Sequence, residues 1–232
     1  MTRIDLTTRE LHGLIAPVLP HTSTDPTMPP LNCISLEVSS DVLYAAASDR
    51  YTLAASRHAL EEPTASLKLL IDRGDAAAML KLFTFSKDED PQLVLIVDQF
   101  PIAVGRNATI DGLGLRIDGE DGTRLILHDR TVPGEKWPLH DWRARIGKAV
   151  HRPQQPATPA LILTPTFMPR WAKAAGRGER LMAFIGPEAT DPILVTVEQH
   201  FIGLWLPCHH LDSDHEGGLL TDNPWKAELP AA

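Results

Sequence analysis

The chain has 232 residues, of which 43% are apolar and 22% charged, with a net charge of −8, twenty prolines and two cysteines. That length allows one large domain or two small ones, with a core that needs no cross-links. The composition excludes collagen-like, disulfide-rich and wholly disordered classes, and no apolar run approaches the ~20 residues of a membrane span. Cys33 and Cys208 lie far apart, and the N-terminus Met1-Thr-Arg-Ile-Asp has no leader-like apolar stretch, so the expectation is a cytoplasmic protein with no disulfide framework.

Arg3 to Leu6 reads as a short strand that enters a helix. Thr7 or Thr8 caps that helix, Glu10 completes a capping box, and Leu11, Leu14, Ile15 and Val18 form its apolar stripe. Pro17 and Pro20 end it, and His21 to Pro30 is a loop. Alternation then predicts strands over 33–39, 42–47 and 51–56, with turns at Ser39-Ser40-Asp41 and Ser48-Asp49-Arg50. The pattern restarts at Leu67 to Ile71, a strand, followed by a helix from about Ala76 to Phe83 capped by Asp72 or Asp75. Four short strands are predicted next, at 93–97, 102–105, 112–117 and 124–127, and Pro133 to Trp142 is an irregular loop. A Pro- and Gln-rich linker precedes the third restart. It comprises a strand at 160–163, a helix from Phe167 to Ala175 with Pro169 in its first turn, and strands at 181–185, 193–197 and 201–206. A strand–helix–strands unit thus occurs about three times, at ~65–80 residue spacing, which predicts an α+β fold of modules that share sheets.

Three stretches carry a family resemblance. Leu31-Asn-Cys-Ile-Ser-Leu-Glu-Val with Leu43-Tyr-Ala-Ala-Ala-Ser-Asp-Arg-Tyr-Thr-Leu-Ala resembles two strands in the middle domain of the bacterial DNA polymerase III beta sliding clamp. Leu69-Leu-Ile-Asp-Arg-Gly-Asp-Ala-Ala-Ala-Met-Leu-Lys-Leu is similar to that domain's second strand–helix unit, and Trp137-Pro138 with Trp142 stands where the family has a Phe-Pro loop. Pro192-Ile-Leu-Val-Thr with Phe201-Ile-Gly-Leu-Trp-Leu-Pro-Cys-His resembles the family's C-terminal strands. The resemblance implies a DNA-clamp-like fold: repeated β-α-β-β-β modules with helices on one face of antiparallel sheets. It implies a complete clamp-like domain over residues 1–146, a linker over 147–159 and a partial domain over 160–211. Residues 212–232 read as a flexible tail with Trp225 as an anchor. The family's first domain and one further module have no counterpart here.

Residues 143–180 hold eight basic side chains and one acidic one, so the rest of the chain carries about −15. Arg143, Arg145, Lys148 and Arg152 precede the third helix. Arg170, Lys173 and Arg177 make a stripe along it at i, i+3 and i+7. A basic stripe is commonly just a solvated helix face. Beside the resemblance, these seven residues are the candidates for sequence-blind contact with duplex phosphates. The resemblance further implies a hydrophobic pocket for linear motifs of polymerases or repair proteins. It would be built from Ser48, Arg50, Tyr51, Thr52 and Leu53, with Pro138, Leu204, Leu206, Pro207 and Cys208. Arg50 and Tyr51 replace the family's Gly and His. The plain alternative is that Leu53, Leu204 and Leu206 are core strand residues.

Cys208, His209, His210, Asp212, Asp214 and His215 are a dense group of potential ligands. Neighbouring residues on a strand point to opposite faces, and no rigid zinc spacing is present. No nucleophile elbow, phosphate-binding loop or dinucleotide fingerprint occurs. The reading is therefore a non-enzymatic scaffold without cofactor, which contacts duplex DNA, tethers a partner and self-associates head to tail, away from membranes. The alternatives are a degenerate clamp that binds only protein, and a metalloenzyme built on residues 208–215.

Overall fold

The computed structural model describes residues 1–103, 109–131, 137–138, 140–150, 165–176, 178–186, 188 and 191–207. Strand β1 (Thr2–Thr7) runs straight into helix α1 (Thr8–Ile15). Thr7 is the junction: its hydroxyl accepts from the Glu10 N–H at 3.2 Å, while the Glu10 carboxylate accepts from the Thr7 N–H at 2.7 Å, which is the expected capping box. After short 3-10 turns at Leu19–His21 and Pro29–Asn32 comes a meander of β2 (Cys33–Ser39), β3 (Val42–Ser48) and β4 (Thr52–Ala59). The plan repeats with β5 (Leu67–Asp72) and α2 (Arg73–Leu82), where Asp72 caps by accepting from the Gly74 N–H at 2.7 Å. The second meander is β6 (Gln92–Ala103), β7 (Thr109–Gly119) and β8 (Arg124–His128). Helix α3 (Trp142–Val150) follows, then a 3-10 turn (Pro165–Phe167), α4 (Met168–Ala172) and the third meander, β9 (Leu181–Phe184), β10 (Ile193–Val197) and β11 (Phe201–Trp205).

All described pairings are antiparallel, in two sheets of order β1-β6-β7-β8 and β5-β2-β3-β4-β11-β10-β9. The first two units exchange their leading strands. β1 pairs with the second meander (Thr7 opposite Gln92), and β5 pairs with the first (Asp72 opposite Cys33). In each case the helix-capping residue faces the first residue of the other unit's meander. The third unit joins through its last strand, β11, which lies along β4 from Phe201 opposite Ser56 to Trp205 opposite Thr52. The seven-stranded sheet therefore runs unbroken from residues near the start of the chain to residues near 205.

Alternation gives this sheet two buried faces. Ile34, Leu36 and Ala54 face α1, α2 and Trp171 of α4 in the main core, which the four-stranded sheet closes with Leu95 and Ile117. Leu53, Leu70, Leu194 and Leu204 face the other way, onto Trp137 and onto Trp142 and Ile146 of α3.

Several elements differ from the sequence reading. The two strands expected at 93–97 and 102–105 are one strand, β6. Its neighbour β1 reaches only Val97, so Pro101 lies on a free edge where its missing N–H costs no ladder bond. Helix α2 starts at Arg73 instead of Ala76, because Asp72 and not Asp75 is the cap. Helix α3 stands where a loop and a linker were expected, and it covers the sheet face opposite α1, α2 and α4, so the helices are not all on one face. The third helix is shorter than expected and is preceded by a 3-10 turn. The strand expected at 160–163 and the tail over 212–232 fall outside the described residues.

One of the buried polar residues lies against the aromatic part of the core. His21 is fully buried against Trp171, with ring centroids 4.6 Å apart, and neither ring nitrogen has a hydrogen-bond partner among the described residues. Burial, aided by the Arg170 cation, pushes its pKa down to about 3, against a small opposing pull from Asp49. The unfolded chain, with an ordinary histidine, then binds a proton that the native state refuses. Stability should fall as pH drops from about 6.5 toward 3, by up to ~1.4 kcal/mol per pH unit from this group. Urea midpoints for wild type and His21→Leu between pH 7 and pH 5 check this. The variant should show the shallower slope, and parallel slopes would refute it.

Candidate functional site

The Ser48–Leu53 turn holds itself together. The Ser48 hydroxyl donates to the Thr52 carbonyl at 2.6 Å and accepts from the Arg50 N–H at 3.2 Å. Asp49 Oδ1 accepts from the N–H groups of Tyr51 (3.1 Å) and Thr52 (2.8 Å) and from the Thr52 hydroxyl (2.9 Å). Its other oxygen meets the Arg170 guanidinium from α4, which also donates to the Thr52 hydroxyl at 3.1 Å. Arg50 bridges the turn in the left-handed region, at φ 82°, a conformation that favours glycine.

The strand end lies beside this turn. Leu204 faces Leu53, Trp205 faces Thr52, and the Leu206 N–H donates to the Tyr51 carbonyl at 3.0 Å. Not all of these residues reach the surface. Ser48, Thr52, Leu53 and Leu204 are buried, whereas Arg50, Tyr51 and Leu206 are exposed. Phe167, read from sequence only as the start of a helix, stacks on Tyr51 with centroids 5.7 Å apart, and the Arg170 guanidinium lies over the Phe167 ring, 4.5 Å from its centroid. The only signal for Phe167 was an apolar residue just ahead of a helix start. Pro138 is exposed beside Trp137, whose indole N–H donates to the Pro30 carbonyl at 3.0 Å. Pro207 is buried, and Cys208 lies outside the described residues. Two concavities of about 340 and 330 Å³ lie further along these strands on the α3 side; neither is lined by Leu53, Leu204 or Leu206.

The structure separates the basic residues that the sequence places together. Arg143, Arg145 and Lys148 ride on α3, whereas Arg170 lies on α4, with Lys173 as its C-cap, on the opposite face of the sheet. Arg152 and Arg177 are outside the described residues. Three of the five described cations are paired within the chain, two of them with buried carboxylates. Arg143 meets the buried Glu37 carboxylate, which also takes Lys68 at 2.9 Å, and Arg170 holds Asp49. Burial pushes the Glu37 pKa up, but hydrogen bonds from Lys68 and Arg143 overcome this and hold it below the usual carboxylate value. Arg145 pairs with Asp141 one turn away at 2.8 Å. Lys148 and Lys173 are exposed, as is Lys81 on the α2 side.

The ligand cluster expected at 208–215 lies outside the described residues, and among the described ones no group of three His, Cys, Asp or Glu side chains comes together. No described helix is long and apolar enough to cross a membrane.

Paired modules that exchange leading strands and share a sheet define a DNA clamp fold, and solved structures agree. The *Bacillus subtilis* DNA polymerase sliding clamp superposes with a TM-score of 0.63 at 15% identity, over 90% of this chain and 64% of its own. The *Thermotoga maritima* DNA polymerase III beta subunit gives 0.64 at 11%, over 90% and 66%. A *Pseudomonas aeruginosa* sliding clamp solved with a ligand gives 0.64 at 11%, over 90% and 67%. The fold is that of the bacterial polymerase III beta clamp, and the chain spans just under two thirds of the first two structures. No family model matches the sequence, and no curated protein matches it significantly.

Arg170 and Lys173 were both candidates for phosphate contact, and their surroundings separate them. Arg170→Ala leaves the Asp49 carboxylate buried without its cation and should cost about 3 kcal/mol. Lys173→Ala at the surface should stay within about 0.5 kcal/mol. Chemical denaturation of both variants measures the difference, and equal effects would contradict this geometry.

Proposed function

We propose that this chain is a non-enzymatic, clamp-type scaffold that holds duplex DNA through its phosphates and tethers a polymerase or repair protein through a linear motif. The observation that carries this reading is the clamp architecture itself, which extends over nine tenths of the chain. Contact with DNA belongs to the face that carries α1, α2 and α4, where Lys81 and Lys173 are exposed on separate helices. Point charges on rigid helices attract phosphates without reading bases, which is what a sliding contact needs. The motif-docking patch is Tyr51, Phe167 and Leu206, an apolar surface beside a rigid turn. Tethering raises the partner's effective concentration on DNA without any chemistry. Head-to-tail self-association belongs to this reading as well.

The test is retention on nicked circular DNA over a salt titration. Wild-type protein should be retained on circles and lost on linearisation. Lys81→Glu with Lys173→Glu should weaken retention and reduce the salt slope by about one per contact removed. Arg145→Glu with Lys148→Glu, on the other face, should leave retention unchanged. Background retention of the wild type would leave a protein-only scaffold.

A further inference from the structure

We infer that the chain's own segment 208–232 docks on the patch of Tyr51, Phe167 and Leu206 through Leu219, Leu220 and Trp225, and must be displaced before a partner's motif binds there. This concerns the regulation of the docking patch and rests on that reading of it.

The first argument is position. The last described residues lie at the patch itself: the Leu206 N–H donates to the Tyr51 carbonyl at 3.0 Å, and Pro207 is buried. Residue 208 therefore starts beside the surface that the segment is to cover. Leu219 follows Pro207 by twelve residues, a separation that spans roughly 20 Å at random-coil dimensions. The Tyr51 and Phe167 ring centroids are 5.7 Å apart, so the reach is ample. Gly217-Gly218 stands directly before Leu219 and supplies the backbone freedom that a returning chain needs. A tether this short holds its end at about millimolar effective concentration, so a weak contact suffices.

The second argument is charge. Arg50 is exposed, with its guanidinium over the Tyr51 ring at 5.9 Å from the centroid, and it forms no ion pair among the described residues. The Arg170 guanidinium, over Phe167, is committed to Asp49. The patch is thus apolar with a cation at its rim. The segment 208–232 is complementary to it. Asp212, Asp214, Glu216, Asp222 and Glu228 stand there against Lys226 alone, which is half of the chain's net charge of −8. The two concavities on the α3 side are a poorer match for an acidic segment. Both are lined by Glu198, and Arg57 in the second already donates to the Gln199 carbonyl at 2.8 Å.

The third argument is the fit of the anchors. Tyr51 and Leu206 are 53% and 42% exposed, beside a turn that its own hydrogen bonds hold rigid. Exposed apolar side chains rimmed by charge mark a contact surface. Leu219-Leu220 and Trp225 lie on either side of Asp222. An aliphatic pair and an aromatic ring thus flank an acid, and the patch offers an aliphatic side chain, two stacked rings and a cation. A partner's motif of the same chemistry competes with this segment and has to bind more tightly than the tethered one.

Fluorine resonances test this. Tyr44 and Tyr51 are the chain's two tyrosines, so 3-fluorotyrosine gives two signals, assigned with Tyr51→Phe. Tyr44 packs near Trp142 on the α3 side and is the control. Leu219→Ser with Leu220→Ser, and Trp225→Ala, should each shift the Tyr51 signal and leave Tyr44 in place. Added salt should move the wild-type Tyr51 signal the same way. Dilution should change nothing, because docking within one chain is independent of concentration. A Tyr51 signal unmoved by the variants, a shift at Tyr44 instead, or a wild-type signal that changes on dilution would each overturn the assignment. A synthetic peptide of residues 216–228, added to the full chain with all three anchors changed, should restore the wild-type signal. If wild type and that variant coincide and the peptide still moves Tyr51, the patch docks peptides and only the internal occupancy fails. If they coincide and the peptide moves nothing, the docking patch fails as well.

Discussion

The structure depends on the exchange of leading strands between its first two units. A two-residue-period meander with one helix leaves an open edge and an uncovered apolar face; each unit corrects this for the other. The exchange also fixes the helices, since Thr7 and Asp72 end the exchanged strands and cap α1 and α2 at the same time. Register, helix start and helix position are thereby set by single residues. Because the side-chain period is two, a slip by one residue would turn Ile4 and Leu6, or Leu69 and Ile71, away from the core.

Charge in this protein is used largely as internal fastening. Arg170 ties α4 to the turn between β3 and β4, and Arg143 ties α3 to Glu37 on β2. Each bond joins residues more than a hundred positions apart and lies at one of the two sheet faces, so the two helices that flank the third unit are both fixed to the first. The carboxylates are buried and hydrogen-bonded, which makes their cations costly to remove. The same arrangement commits the half-buried Arg170 to Asp49, whereas Arg143 stays exposed beside Glu37. It leaves lysines, on short helices, as the exposed cations of the α2 and α4 side.

Most of the fold is legible in the sequence. The capping box at Thr7 and Glu10, the alternation over 33–56 and the apolar strands over 193–206 each follow from local rules, and the clamp resemblance rested on the last two together with residues 69–82, Trp137, Pro138 and Trp142. What escaped depends on distant partners. Pro101 interrupts a strand only if both neighbours are present, and the length of β1 decides that. Helix α3 carries a legible apolar stripe, Trp142, Ile146 and Ala149, at i, i+4 and i+7, but the arginines and lysine between them suggest a binding segment instead. The candidate site divides in the same way. The meeting of the turn with the strand end was readable from family-like segments. The spending of Arg143 and Arg170 on Glu37 and Asp49 was not, because nothing local links residues that far apart.

The joint between β4 and β11 has a consequence for how the protein is made. Gly203 lies at that joint, where an added methyl group would come within 2.7 Å of both the Leu53 carbonyl and the Trp171 ring. β4 leaves the ribosome well before its neighbour β11, which follows it by more than a hundred residues. Until β11 is made, the nascent polypeptide carries an open, apolar sheet margin at β4, and the joint that seals it is one that tolerates no side chain at its midpoint. Production in cells is accordingly sensitive at a buried glycine.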